Sequence, residues 1–187
     1  MNCIELYPSR IYLDKVYDSN YNSTLKNCVY DMLKSSSELN SVSVRNGWQS
    51  EKDIYNNKHF QPLCDYILNK TKSTLLKDRN IIPFISSMWI NIHNKNGFNH
   101  VHVHSGAWYS GVYYILCSEK TGNITFLDPR PGAEMSFYEK TVNSENFSVK
   151  TKTGDLLLFP SWLPHLVEPN LDDELRISLA FNIELNI

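Results

Sequence analysis

The chain has 187 residues, 42% hydrophobic and 20% charged, the length and make-up of one globular domain able to bury roughly 70% of its unfolded surface. Its net charge of -2, with no block of like charges, leaves no electrostatic footprint for phosphate-backbone binding, so no long nucleic acid is expected as a partner. Met1 to Arg10 lacks a basic segment followed by an apolar run, and no stretch approaches the ~18 apolar residues of a membrane span; the expectation is a cytoplasmic protein without membrane contact.

In chain order, Ile4 to Val16 reads as a short extended piece interrupted by Pro8. Thr24, Leu25, Cys28, Val29, Met32 and Leu33 then recur at three- and four-residue steps, which predicts a helix over 22–39. A second helix is predicted to begin at Pro62, a favoured first helical position, and to run through Leu63, Tyr66 and Ile67 to Leu75 and Leu76, stopping before Asp78. From Pro83 the period changes to two, with β-branched and aromatic runs punctuated by Asn-Gly, Thr-Gly and Pro-Gly turns. Strands are predicted at 84–93, 99–104, 108–117, 123–127, 133–139, 146–150, 155–159, 164–168 and 174–184. So many short strands imply a mainly β protein of the jelly-roll kind, with N-terminal helices packed on one sheet. The expected organisation is one domain over 1–187, a helical buttress over 1–80 and the jelly-roll core over 81–187. Gly47, Gly111 and Gly154 are read as serving backbone turns. Trp48, Trp108 and Trp162 are read as core or lid packing. The cysteines Cys3, Cys28, Cys64 and Cys117 lie far apart without a C-x-x-C pair and read as reduced small residues.

The last strand separates two faces most clearly: Leu175, Ile177, Leu179, Phe181 and Ile183 alternate with Arg176, Ser178, Ala180 and Asn182. The second set suits a polar pocket better than an open surface, which would carry Lys and Glu. Three histidines stand at alternate positions, His100, His102 and His104, and so project to one side of a strand; His165 follows on a distant strand that can return beside them. Converging imidazoles make a metal site, and imidazole suits ferrous iron. Arg176, eleven residues after His165, falls on the next strand. There its planar fork can grip a dicarboxylate held on the metal, with Ser178 donating beside it. The alternative for Arg176 is a surface ion pair with Glu174 or Asp172. Tyr113 or Tyr114 can add a hydroxyl, and Asn91 and Asn182 can line the pocket. Arg130 either recognises an acidic substrate or pairs with Glu134.

Taken in order, these segments resemble the Fe(II)/2-oxoglutarate-dependent oxygenase superfamily, within it a group found in bacteria and their phages. The resemblance rests on Asn46-Gly47-Trp48-Gln49-Ser50, Trp89-Ile90-Asn91, Asn99 through His104, Ser110 through Tyr114, Asp128-Pro129-Arg130, Gly154 through His165 and Arg176 through Asn182. It implies a double-stranded β-helix (cupin-like jelly roll), His102 as the first iron ligand, His165 as the distal one, and Arg176 with Ser178 on the far carboxylate of 2-oxoglutarate. The chain departs from the usual His-x-Asp or His-x-Glu by having His102-Val103-His104. Either His104 completes a three-histidine site, the favoured reading, or two protein ligands suffice; Asp128 is a minor candidate for the carboxylate. His100 falls outside ligand reach. The implied activity is a dioxygenase that uses Fe(II), 2-oxoglutarate and O2 to hydroxylate a C–H bond of a small-molecule or peptidyl substrate, releasing succinate and CO2. Its rivals are a three-histidine cupin dioxygenase that does not use 2-oxoglutarate and a non-catalytic cupin-like binding protein. Neither accounts for Arg176 and Ser178 at their spacing. A homodimer is compatible with the sequence, which selects no substrate.

Overall fold

The structure, a computed structural model, describes residues 2, 4, 6–16, 18–35, 44–130, 132 and 146–186. The chain order is β1 (Tyr12–Lys15), α1 (Ser19–Ser35), β2 (Val44–Gln49), a 3-10 turn (Ile54–Asn56), α2 (Gln61–Leu75), β3 (Ile82–His102), β4 (Tyr109–Leu116), β5 (Ile124–Phe126), β6 (Phe147–Val149), β7 (Asp155–Pro160), β8 (His165–Val167) and β9 (Arg176–Asn186). The predicted strand at 133–139 and positions 36–39 of the first predicted helix lie outside the described residues.

Helix α1 starts where the Asp18 carboxylate accepts a hydrogen bond from the Tyr21 amide at 2.9 Å, satisfying a donor that the first turn leaves free. It buries Asn22, Leu25 and Val29, three positions on one helical face. Helix α2 carries Pro62 in its first turn and buries Leu63, Cys64, Ile67 and Thr71. Both faces pack on one side of the sheet against Met88, Ile90 and Ile92 of β3, Leu156 and Leu158 of β7, and Ile177, Leu179, Phe181 and Ile183 of β9. A second apolar layer, including Val112, Ile124, Phe126, Leu157, Phe159 and Leu163, fills other parts of the sheet's curl. Among the described cysteines, Cys28, Cys64 and Cys117 are free thiols. No described helix is long and apolar enough to cross a membrane.

The strands form a mainly antiparallel, curled sheet in the order β1-β7-β4-β9-β3-β8-β5-β6, with β2 added alongside β3. The jelly-roll expectation holds, with one correction: 84–93 and 99–104 belong largely to a single strand, which runs to His102. The residues between them, Asn94 to Gly97, have turn-forming chemistry, and Asn96 does take φ 65°. β2, where no strand is predicted, pairs with β3 on both sides of that irregularity, Val44 and Arg45 against Asn99 and Phe98, then Gly47 to Gln49 against His93 to Asn91. Asn46, at φ 50°, bridges the bulge by donating from its side-chain amide to the Lys95 carbonyl at 2.7 Å. Pairing on β2 thus keeps in the ladder a stretch whose local sequence favours a turn.

The glycine expectation holds at Gly154, which turns at φ 90°. It fails at Gly47 and Gly111, which lie inside strands. A Cβ on Gly111 would run into the Phe181 ring and the Leu157 carbonyl oxygen, and one on Gly47 into the Ile92 carbonyl; these glycines permit close backbone approach.

Candidate metal centre and anion hole

Strand register lays out a polar floor. On the face of β3 opposite the helices, Ser87, Trp89, Asn91 and His93 stand across from Asn182, Ala180, Ser178 and Arg176 of β9. On the other flank of β9, Ser110, Val112 and Tyr114 of β4 stand across from Asn182, Ala180 and Ser178. The far end of β3 then pairs with β8, Asn99 against Val167 and His102 against His165. Curling brings these segments over the floor, and the cavity between is lined by Trp89, Asn91, Asn99, His102, His104, Tyr114, Phe159, His165 and Ser178, among others.

At one end of the cavity, His102, His104 and His165 each bring a ring nitrogen within 4.8 Å of the others. All three rings are oriented through Nδ1: His102 faces the His100 carbonyl at 2.7 Å, His104 the Asn182 side-chain oxygen at 2.7 Å, and His165 the Leu163 carbonyl at 2.9 Å. An acceptor at each Nδ1 fixes the proton there and leaves the Nε2 lone pair of each ring bare. Burial disfavours the imidazolium, holding His102 below its ordinary pKa, His104 at about 4 and His165 at about 3. The cluster is therefore neutral at neutral pH and offers three lone pairs. This donor set fits a divalent metal with nitrogen bonds of ~2.1 Å, each ligand held from behind by a second hydrogen bond. Asn182 is itself fixed, accepting from Ser110 at 2.8 Å and donating to Ser87 at 3.0 Å.

Behind the cavity lining, two residues before Ser178 on the same face of β9, lies Arg176, 1% exposed. Its Nη1 donates to the carbonyls of Thr121 and Glu168, while Nε and Nη2 have no hydrogen-bond partner among the described residues. The surface ion pair with Glu174 or Asp172 is thereby corrected: the guanidinium is inside, and Asp172 instead accepts from Ser118. Unmet buried donors cost ~1–3 kcal/mol each, and burial lowers the pKa of Arg176. A carboxylate is the partner such a group fits.

The remaining predicted residues divide. Ser178, Tyr114 and Asn91 line the cavity, and Asn91 is oriented by a hydrogen bond from Gln49 at 2.9 Å. Tyr113 does not: it points to the helix side, where its hydroxyl donates to the Val16 carbonyl and Asn22, because neighbours on a strand face opposite ways. His100 is exposed and its ring packs edge-on to Phe98 at 4.9 Å; its contribution is the main-chain carbonyl behind His102. Asp128 binds Arg130 through both carboxylate oxygens and is not part of the imidazole cluster. That bond also supplies Arg130 with a partner other than Glu134, which lies outside the described residues. Trp48 is buried, whereas Trp162 is 54% exposed. Sequence reasoning missed His93, Asn99 and Gln49, although His93 continues the Trp89-Asn91 alternation on an otherwise apolar strand.

The fold is a curled jelly roll in which three imidazoles able to hold a metal ion line one cavity, with a buried, half-satisfied guanidinium behind its lining. Residues 87–182 match the family described as "Putative 2OG-Fe(II) oxygenase", and the chain belongs to that family, which uses Fe(II) and 2-oxoglutarate. Three solved structures share the fold. The non-heme α-ketoglutarate-dependent epimerase SnoN from nogalamycin biosynthesis superposes with a TM-score of 0.70 at 13% identity, covering 92% of this chain and 76% of that one. HygX from Streptomyces hygroscopicus, with nickel, 2-oxoglutarate and hygromycin B bound, gives 0.67 at 12% identity over 94% and 83%. A Pseudomonas putida prolyl-4-hydroxylase gives 0.63 at 12% identity over 93% and 92%. No curated protein matches the sequence.

Proposed function

We propose that the protein is an Fe(II)- and 2-oxoglutarate-dependent dioxygenase that hydroxylates a C–H bond of a small-molecule or peptidyl substrate and releases succinate and CO2. The observation that carries this reading is three bare Nε2 lone pairs in one cavity together with two buried guanidinium nitrogens, behind its lining, that have no partner among the described residues. His102, His104 and His165 would hold the iron, with His104 in place of the carboxylate ligand common in the superfamily. Arg176 and Ser178 would hold the far carboxylate of 2-oxoglutarate, with Asn91 and Tyr114 beside them. When bound, iron and 2-oxoglutarate supply the activation of oxygen.

The protein's own contribution is orientation and dryness. Nδ1 contacts to two main-chain carbonyls and to Asn182 aim the imidazoles, so little ordering remains when the metal enters. Val112, Ile124, Phe126 and Phe159 surround the site with apolar surface, which strengthens every charge interaction inside and keeps water from competing for the carboxylate. At the metal end, Trp89 lies 5.5 Å from the His104 ring, and the Lys52 ammonium sits 5.5 Å over the Trp89 ring.

The test is to supply the protein with Fe(II), 2-oxoglutarate and oxygen and to measure succinate. Succinate formation that depends on Fe(II) supports the reading, and incorporation of labelled oxygen into a product separates hydroxylation from epimerisation or ring closure. Protein that binds neither 2-oxoglutarate nor Fe(II), and forms no succinate, would refute it.

A further inference from the structure

Beside the two unpartnered nitrogens of Arg176 lies a third buried polar atom without a hydrogen-bond partner among the described residues, Nδ1 of His93. The two side chains are direct cross-strand neighbours, His93 on β3 opposite Arg176 on β9. They project from the same face of the floor and are each 1% exposed. Buried polar groups in folded proteins are nearly always paired, so adjacent unpaired groups on one face mark the place of an outside partner. Arg176 can only donate, which makes that partner an acceptor. His93 Nε2 lies 2.7 Å from the Asn99 side-chain oxygen, and Asn99 lines the cavity. An amide can offer either its oxygen or its NH2 to a ring nitrogen. In this structure the oxygen faces Nε2; with the amide turned so that its NH2 faces Nε2 instead, a neutral imidazole would carry its proton on Nδ1 and donate from there. The neutral form is the one this environment favours, since burial and the neighbouring Arg176 charge push His93 down to about 3.

We propose that His93 is a specificity-determining residue of the anion hole, donating from Nδ1 to the same far carboxylate that Arg176 grips. This rests on the co-substrate reading above. It makes the hole selective for a 2-oxo diacid over a 2-oxo monoacid, which has no group to place there.

The test uses Mn(II)-loaded protein without oxygen and calorimetric titration with 2-oxoglutarate and, separately, 2-oxobutyrate. His93→Leu should weaken 2-oxoglutarate at least tenfold and leave 2-oxobutyrate within about twofold of wild type. His93→Asn, whose amide nitrogen can stand where Nδ1 stands, should recover most of the loss. His93→Gln, whose amide reaches the Nε2 position instead, should not. The Asn and Gln variants keep the position polar and decide the matter even if the leucine variant does not fold. Wild-type affinity in His93→Leu, equal losses for both ligands, or equal recovery by Asn and Gln would overturn the assignment. Wild-type protein that fails to bind 2-oxoglutarate would instead overturn the co-substrate reading, and this one with it.

Discussion

Replacing Arg176 with methionine should separate ligand binding from stability. The guanidinium is 1% exposed and, among the described residues, makes hydrogen bonds only through Nη1, to the Thr121 and Glu168 carbonyls. Methionine removes those bonds, and two carbonyls left unpaired cost ~1–3 kcal/mol each. It also removes a buried cation with two unmet donors, and exchanging a buried charge for an apolar side chain of similar volume is often neutral or stabilising by ~1–4 kcal/mol. The terms nearly cancel, and since about 1 kcal/mol moves the midpoint of a domain this size by ~2–4 °C, Arg176→Met should melt within a few degrees of wild type. Binding should behave differently. Truncating one member of a buried charge pair costs ~2–5 kcal/mol, so the affinity for 2-oxoglutarate should fall roughly thirty-fold to several thousand-fold. Calorimetric titration of the Mn(II)-loaded variant, paired with a thermal melt, reads both numbers. A variant that binds 2-oxoglutarate like wild type, or melts more than about 10 °C lower, would show that Arg176 serves the fold and not the ligand.

Two further outcomes follow from the imidazole cluster. Asn182→Leu deletes the acceptor behind His104 Nδ1 and should lower the affinity for Co(II) or Zn(II) by about 10- to 100-fold in a chelator competition; unchanged affinity would mean that His104 is no ligand. In metal-free protein, His93 and His165 remain neutral down to about pH 3 when folded but take up protons near pH 6.5 when unfolded. The unfolded chain therefore binds more protons between those values. Their contribution to stability is complete above pH 6.5 and declines as the pH falls toward 3, by up to ~1.4 kcal/mol per pH unit for each residue. Urea midpoints that hold steady or rise between pH 7.5 and 5 would contradict this.

The alternation of β9 and the spacing of the histidines were legible because both depend on side-chain period alone. Met88, Ile90 and Ile92 facing the helices imply that Trp89, Asn91 and His93 share the opposite face, so His93 was within reach of the same logic. What the sequence concealed was pairing at a distance. Without β2 in view, Asn94 to Gly97 reads as a turn, and β2 itself, with Asn46 and Gly47 in its middle, carries turn chemistry. The choice between Tyr113 and Tyr114 depends on strand parity, which a run of consecutive apolar residues such as Val112 to Ile115 does not reveal. The carbonyls of His100 and Leu163 that orient two imidazoles are main-chain atoms, and residue identity says nothing about where they point.

Strand β3 contributes His93 to the floor and Asn99 and His102 to the opposite wall, and a cross-strand ladder on β2 braces the bend between them. The interval separating the guanidinium pole from the imidazole pole is thus set by the length of one continuous, braced backbone. For the proposed diacid such a cage would act as a ruler: one methylene too short or too long would meet fixed jaws, and lengthening the 93–99 bend by one residue would retune the chamber's measure without touching a single proposed ligand residue.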